Sequence, residues 1–267
     1  MKKLRYIYLG LMLFFLYAPI ALLMVYSFNE SRSRAQWGGF SLRWYADLLT
    51  DPVIMNALIT TLTVAVISAL AATIIGTAAA VAINSTKGIR KRLLLSLTNV
   101  HVVSPDIVIG VSLMILFIFI FGAFGTMALG YHTLLLSHII FNVPFVILSV
   151  LPKLRQFDTN LFEAALDLGA KPGLAFIKVI LPQIKPGVIT GAMLAFTLSI
   201  DDFIVSFFTA GAGTTNLSIL IFSMARRGVN PKINALSTIL FAVVLLLLYL
   251  ISRRESTNIK NRRNKNA

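Results

Sequence analysis

Residues 157–187 read FDTNLFEAALDLGAKPGLAFIKVILPQIKPG, a polar, proline-bounded passage between two long apolar runs. Asp158, Thr159 and Asn160 are residue types that cap helices, because their side-chain oxygens accept from backbone N–H groups left over in a first turn. Glu163 stands three residues after Asn160, as a capping-box partner would. Leu161, Ala164, Ala165 and Leu168 then supply a short apolar face. Gly169 suits the left-handed position that ends a helix, and Pro172-Gly173 closes the run. A second apolar piece, Leu174–Leu181, is expected to stop at Pro182, with Pro186 just before the next apolar segment. A short helix, a glycine turn and a second short helix together describe a docking element.

What surrounds this passage is a membrane protein. The 267 residues are 57% hydrophobic and 13% charged, against about 25% charged in soluble domains, and the mean hydropathy is +0.85. Six apolar segments stand out: Ile7–Phe28, Ala57–Ile83, Leu93–Phe121, Thr133–Leu151, Gly187–Ala210 and Ala235–Ser252. Each is long enough to cross about 30 Å of hydrocarbon as a helix rising about 1.5 Å per residue. The period-two alternation of a membrane β-barrel is absent, so the fold class is all-α and polytopic, with six transmembrane helices. The first segment follows MKKLR as a signal peptide would, but its apolar run is about 20 residues and no small-x-small pattern closes it, so it reads as a retained helix.

An even number of spans puts both termini on one side, and positive loops mark that side as cytoplasmic. Of the 24 lysines and arginines, 18 fall in the N-terminus, the 84–92 loop, the 152–186 loop and the C-terminal tail, and 6 fall in the other loops. The chain divides into residues 1–56 (first helix and extracellular loop), 57–252 (a five-helix core with the 152–186 loop) and 253–267, a basic tail expected to be solvated and irregular.

Three acids fall inside apolar segments. Asp201 and Asp202 are adjacent in the fifth, and Asp106 follows Pro105 in the third. An acid at a bilayer centre costs about 2.5–3.5 kcal/mol on insertion scales, so these three are candidates for a cation path. Adjacent helical residues point about 100° apart, so one of Asp201 and Asp202 is expected to face a cavity while the other caps or pairs within the bundle, unless the helix opens there. Pro105 predicts a kink or break, leaving two options for residues 93–104: a cytoplasmic-surface helix, or the first part of one tilted span.

Several chemistries are excluded. Zero cysteines rule out disulfides and thiolates. His101, His132 and His138 have no ligand spacing and read as packing or helix-end residues, so no metal site is expected. The net charge of +14 comes without the interleaved aromatics of a nucleic-acid platform. There is no G-x-x-x-x-G-K-[ST] phosphate loop, no triad and no metal cluster, so the chain is not expected to be an enzyme or to bind a cofactor.

Glu163-Ala164-Ala165, Gly169 and Leu181-Pro182 resemble the cytoplasmic loop signature of the inner-membrane permease subunits of ATP-binding-cassette importers, with Val179 in place of an Ile. YSFN at residues 26–29, FSLRWYADLL at 40–49, SPDIVIG at 104–110, LSIDDFIVSFF at 198–208 and RRGVNPKINALSTIL at 226–240 are similar to the second permease subunit of spermidine/putrescine importers. The resemblance implies a type I importer permease fold in the cell membrane and a polyamine as substrate. It also implies a second permease subunit, a cytoplasmic ATPase pair that binds the ATP, and an extracellular or periplasmic binding protein. In that family the loop residues named above couple the membrane path to the ATPase. The competing readings are a permease for another small solute, an ion-coupled secondary transporter using the three acids, and a membrane scaffold.

Overall fold

The computed structural model describes residues 2–32, 36–123, 129–228 and 231–265. Arg34 of the charge count, Val229 and Asn230 of the 226–240 stretch, and the last two residues of the tail lie outside the described residues. The chain is built from α1 (Lys2–Tyr26), α2 (Arg43–Thr50), α3 (Pro52–Ser85), α4 (Gly88–Val103), α5 (Asp106–Ala123), α6 (Tyr131–Arg155) and α7 (Thr159–Asp167). Then follow α8 (Pro172–Ala175), a π-helical turn (Phe176–Ile180), α9 (Leu181–Asp201), α10 (Ile204–Thr209), α11 (Leu217–Arg226) and α12 (Pro231–Lys265). Among the described residues the one extended pairing is an isolated bridge between Asn29 and Phe40. Six helical stretches are long and apolar enough to cross a membrane.

The core is where α3, α6 and α9 meet. In lipid there is no hydrophobic force between helices, so association rests on close backbone approach at small residues. Ala65, Ala69, Ala72 and Ala80 supply that stripe on α3, and Val146, Ile147, Val150 and Leu151 of α6 pack into the same cluster with Ile184 and Ala195 of α9. Gly187 fixes the α6–α9 approach, because a Cβ there would lie 2.7 Å from Lys153 Cγ and 2.8 Å from Ser149 O. At the opposite extreme, none of the apolar stretch of α1 is buried in the chain.

Two expectations are revised, and the choice left open at Pro105 is narrowed. The third apolar segment is two helices, separated where Ser104 turns extended (ψ 140°). Pro105 has no N–H to continue the ladder, and Val108 restarts it by donating to Pro105 O at 2.9 Å. α4 packs on α6: Leu95 rests against the cluster shared by α3, α6 and α9, and the His101 ring lies 6.0 Å from Phe141. It is therefore a helix of its own before Pro105, and not the continuous start of α5.

The fifth segment begins earlier than residue 187 and breaks before 210, because helix runs unbroken from Pro172 to Asp201 and restarts at Ile204. The basic tail continues α12 as helix to Lys265. Residues 232–265 contain no proline or glycine, so nothing in the sequence stops the helix that the apolar part has nucleated.

Candidate functional site

α7 sits at the end of the bundle where α3 and α6 finish. Asp158 caps it, its side chain accepting from Asn160 N–H at 3.0 Å. With Asp158 at the cap, the third helical position is Leu161, so Glu163 is not a capping-box partner; it is exposed on the helix. The far end follows the expectation for Gly169. This residue takes φ +84°, its N–H donates to Leu166 O at 2.8 Å, and Ala170 N–H donates to Ala165 O at 3.1 Å. That pair of bonds is the Schellman closure, which satisfies carbonyls a helix end otherwise leaves open. The apolar face turns away from the protein: Leu168 is 89% exposed and Leu161 47%. Ala164 is exposed as well, and Ala165 is half-buried.

Leu181 and Pro182 do not terminate a helix. They open α9 directly after the π-helical turn, in which Leu181 N–H reaches back to Phe176 O. Proline has no N–H, and its ring presses on the carbonyl of the preceding turn in regular α-helix; the wider turn relieves both problems. The proline at this point of the loop thus sits in a continuous helical join between the α7 loop and α9.

The second constellation surrounds the break after α9. Asp201 ends α9 and is exposed, while Asp202 is extended (ψ 123°) with a side chain only 6% exposed. The Asp202 carboxylate accepts from Val205 N–H at 3.3 Å, Ser206 N–H at 2.7 Å and the Ser206 hydroxyl at 2.8 Å. The broken backbone therefore finds its acceptors in Asp202, as a break inside a membrane requires. Ser206 Oγ also receives Asn216 Nδ2 at 2.8 Å and lies 2.9 Å from His138 Nε2. Because its single hydrogen goes to Asp202, His138 must present Nε2–H, and that nitrogen is 3.6 Å from Asp202 Oδ2. Below this hub, Asn142 Nδ2 donates to Ser199 Oγ at 2.7 Å, and Ser199 pairs with Ser68 at 3.0 Å.

Asp106 lies at the start of α5 and is exposed, beside the other break. The two acids of the fifth segment thus part company, Asp202 into the bundle and Asp201 onto its surface. His101 and His132 stand at helix ends, and His138 is part of the buried network. Among the described residues no three His, Asp or Glu side chains are placed to hold a metal ion. Sequence reasoning missed His138, Asn142, Ser199, Ser206 and Asn216. A signal was present, since His138 and Asn142 are four apart in an apolar run and so share a helix face.

The chain matches the family model described as "Binding-protein-dependent transport system inner membrane component" over residues 72–263. It is 40% identical over 253 residues to the putrescine transport system permease protein PotI of Escherichia coli K12, covering 92% of this chain and 90% of that one. It is 41% identical over 234 residues to the spermidine/putrescine transport system permease protein PotC of the same organism, covering 88% and 87%. Solved structures agree in fold: a bacterial ABC transporter importing the polysaccharide alginate has a TM-score of 0.69 at 18% identity, over 97% of this chain and 96% of that one. The MetNI methionine ABC transporter, inward facing, has a TM-score of 0.61 at 21% identity, over 76% and 96%. With that family model spanning well over half of the chain and relatives this similar along nearly its whole length, the chain belongs to the inner-membrane components of binding-protein-dependent transport systems.

Proposed function

We propose that the chain is one of two permease subunits of an ATP-driven importer of polyamines such as putrescine and spermidine. The observation that carries this reading is identity of 40–41% to putrescine and spermidine/putrescine permeases over about nine-tenths of the chain. Fold does not choose the solute, because structures of alginate and methionine importers share it. In this reading the division into residues 1–56, 57–252 and 253–267 stands, and the end carrying α7 and both termini is cytoplasmic. ATP binds to a partner ATPase pair. That pair docks on the loop through Glu163, Ala164, Ala165 and Gly169, and Leu181 and Pro182 pass its motion to α9. The outward-turned leucines of α7 support this, since apolar side chains held in water are stabilised by a covering partner.

Asp201 and Asp106, exposed at the two helix breaks, are the acids that meet the cationic substrate; Asp202 holds the break open. A few fixed negative charges suit a polycation, because a weak site admits the ion and still releases it. The test is uptake of radiolabelled putrescine and spermidine into proteoliposomes holding the whole complex. Uptake should need ATP and binding protein, and Asp201→Asn should lower it while assembly and ATP hydrolysis persist. Polyamine uptake driven by an ion gradient without ATP, or no polyamine uptake at all, overturns the reading.

A further inference from the structure

The segment joining α1 to α3 is a strap with two unlike faces. Its inner face is locked: Trp44 and Leu48 of α2 are buried in a cluster with Ile54, Leu217 and Leu236. Trp44 Nε1–H donates to Asn29 O at 2.7 Å, and the Ser27 and Tyr45 hydroxyls are 2.7 Å apart. The buried Asn29 side chain accepts from Gly38 N–H at 2.8 Å and donates to Gln36 O at 3.0 Å, so the tip is folded back as well. Ser27 and Asn29 directly follow the end of α1 at Tyr26, and α2 ends two residues before α3 begins at Pro52. These bonds hold the strap at the level where two spans end.

The outer face is apolar where a loop in water would be polar. Trp37, Phe40, Leu42 and Leu49 are 53%, 71%, 57% and 73% exposed, and Phe40 is held in place by stacking on Phe28 at 5.3 Å. Val25 at the end of α1 and Val53 at the start of α3 are exposed too, so apolar surface continues from the spans onto the strap. Arg32 and Arg43 are exposed on the same segment.

We propose that the outer face of this strap is seated in the headgroup layer of the bilayer, with Trp37, Phe40, Leu42 and Leu49 in the interfacial zone and Arg32 and Arg43 against lipid phosphates. Aromatic side chains concentrate at that depth, and an arginine fork matches a phosphate while its stem covers apolar surface. A platform for the extracellular binding protein would occupy the same end of the molecule. The pinned level, the exposed apolar residues at the ends of α1 and α3 as well as on the strap, and the exposed Arg32 and Arg43, the latter with its guanidinium over the Trp44 ring at 5.6 Å, favour lipid.

The test uses the intact membrane complex in liposomes of ordinary phosphatidylcholine, or of phosphatidylcholine brominated close to the headgroup or deep in its chains. Trp37 and Trp44 are the two tryptophans of this chain, and Trp44 is buried. The fluorescence difference between the wild-type complex and Trp37→Phe therefore isolates Trp37, and tryptophans of partner subunits cancel. The Trp37 signal should be lost with the shallow bromines, largely kept with the deep ones, and unchanged when binding protein is added. Full emission in both brominated lipids overturns the proposal. If emission then shifts on adding binding protein, the face is a protein dock; if nothing moves it, water or the second permease covers it. The readout does not involve the solute, so failure here leaves the polyamine reading intact, and failure of uptake leaves this one intact.

Discussion

The α7 loop and the break at Asp202 each invert the chemistry of their surroundings, and they resolve the inversion in opposite ways. α7 presents Leu161 and Leu168 outward, Leu168 almost fully exposed and Leu161 about half. Asp202 brings a carboxylate into the bundle and finds partners within the same chain, in Val205, Ser206 and His138. The loop thus leaves apolar side chains in the open, whereas the Asp202 carboxylate is satisfied within the chain, although His138 Nδ1 and Asn142 Oδ1 of the same network are buried without a hydrogen-bond partner. Substitutions in the break should be felt as loss of folding, and substitutions in the loop as loss of a partner.

The largest effect is expected from Asp202→Ala. The substitution strips the acceptor from two N–H groups of α10 and from the Ser206 hydroxyl, and each buried donor left unsatisfied costs about 1–3 kcal/mol. The subunit should lose thermal stability in detergent and assemble poorly, while Asp202→Asn, which keeps an oxygen for those N–H groups, should lose much less. Equal stability of the alanine variant and the wild type would break the comparison from the side of the break.

Gly169→Val tests the loop. A Cβ there meets nothing within 4 Å, so the penalty comes only from φ +84°. Left-handed backbone costs about 1–2 kcal/mol for a residue with a Cβ, so co-purification of the ATPase should fall by roughly tenfold, since 1.4 kcal/mol is a factor of ten. The melting temperature of the permease itself should hardly move. A variant that unfolds the subunit while still binding its ATPase would reverse the contrast drawn above.

A smaller pair separates capping from docking. Asp158→Ala should weaken α7 by about 1 kcal/mol through loss of the bond to Asn160 N–H. Glu163→Gln should leave the helix unchanged by hydrogen exchange, because Glu163 closes no cap, and should weaken only ATPase docking. If Glu163→Gln frays α7 as much as Asp158→Ala does, the assignment of Asp158 as cap is wrong.

The smallest effect is at the other end, where Lys232 Nζ lies 3.3 Å from Asp51 Oδ2. Burial alone would raise the Asp51 carboxyl, but the Lys232 hydrogen bond, the Val53 and Ile54 N–H groups and the Lys232 charge outweigh it and hold it below its ordinary value. A carboxylate lowered in the folded state stabilises above its unfolded pKa, and that contribution is lost as pH falls through the folded pKa. Asp51→Asn should therefore cost at most about 1 kcal/mol at neutral pH, as partly exposed pairs do, and nothing in strong acid. A cost that grows on acidification would contradict the pairing.

Much of this architecture is written in local features. Apolar length gives six spans, and Gly169 announces its left-handed turn because few other residues tolerate one. The residue types narrow the cap of α7 to three neighbours, but choosing Asp158 over Asn160 needs the backbone angles, which residue types do not carry. Pro182 read as a stop because proline usually is one; the π-helical turn before it is a backbone adjustment with no residue signature of its own.

What the sequence determined by itself is what sums along the chain: membrane residence from hydropathy, the expected orientation from charge, and the short capped helix and glycine turn of the loop from spacing. What only the tertiary structure decided is which polar groups inside the membrane find partners, as Asp202 does, and which stay buried without one, as His138 Nδ1 and Asn142 Oδ1 do. Asp201 and Asp202 are neighbours of identical chemistry, and one is exposed while the other is held by His138, 64 residues earlier in the chain. In hydrocarbon a polar atom must find a protein partner, and which partner is within reach depends on how α3, α6 and α9 pack rather than on any local run of residues.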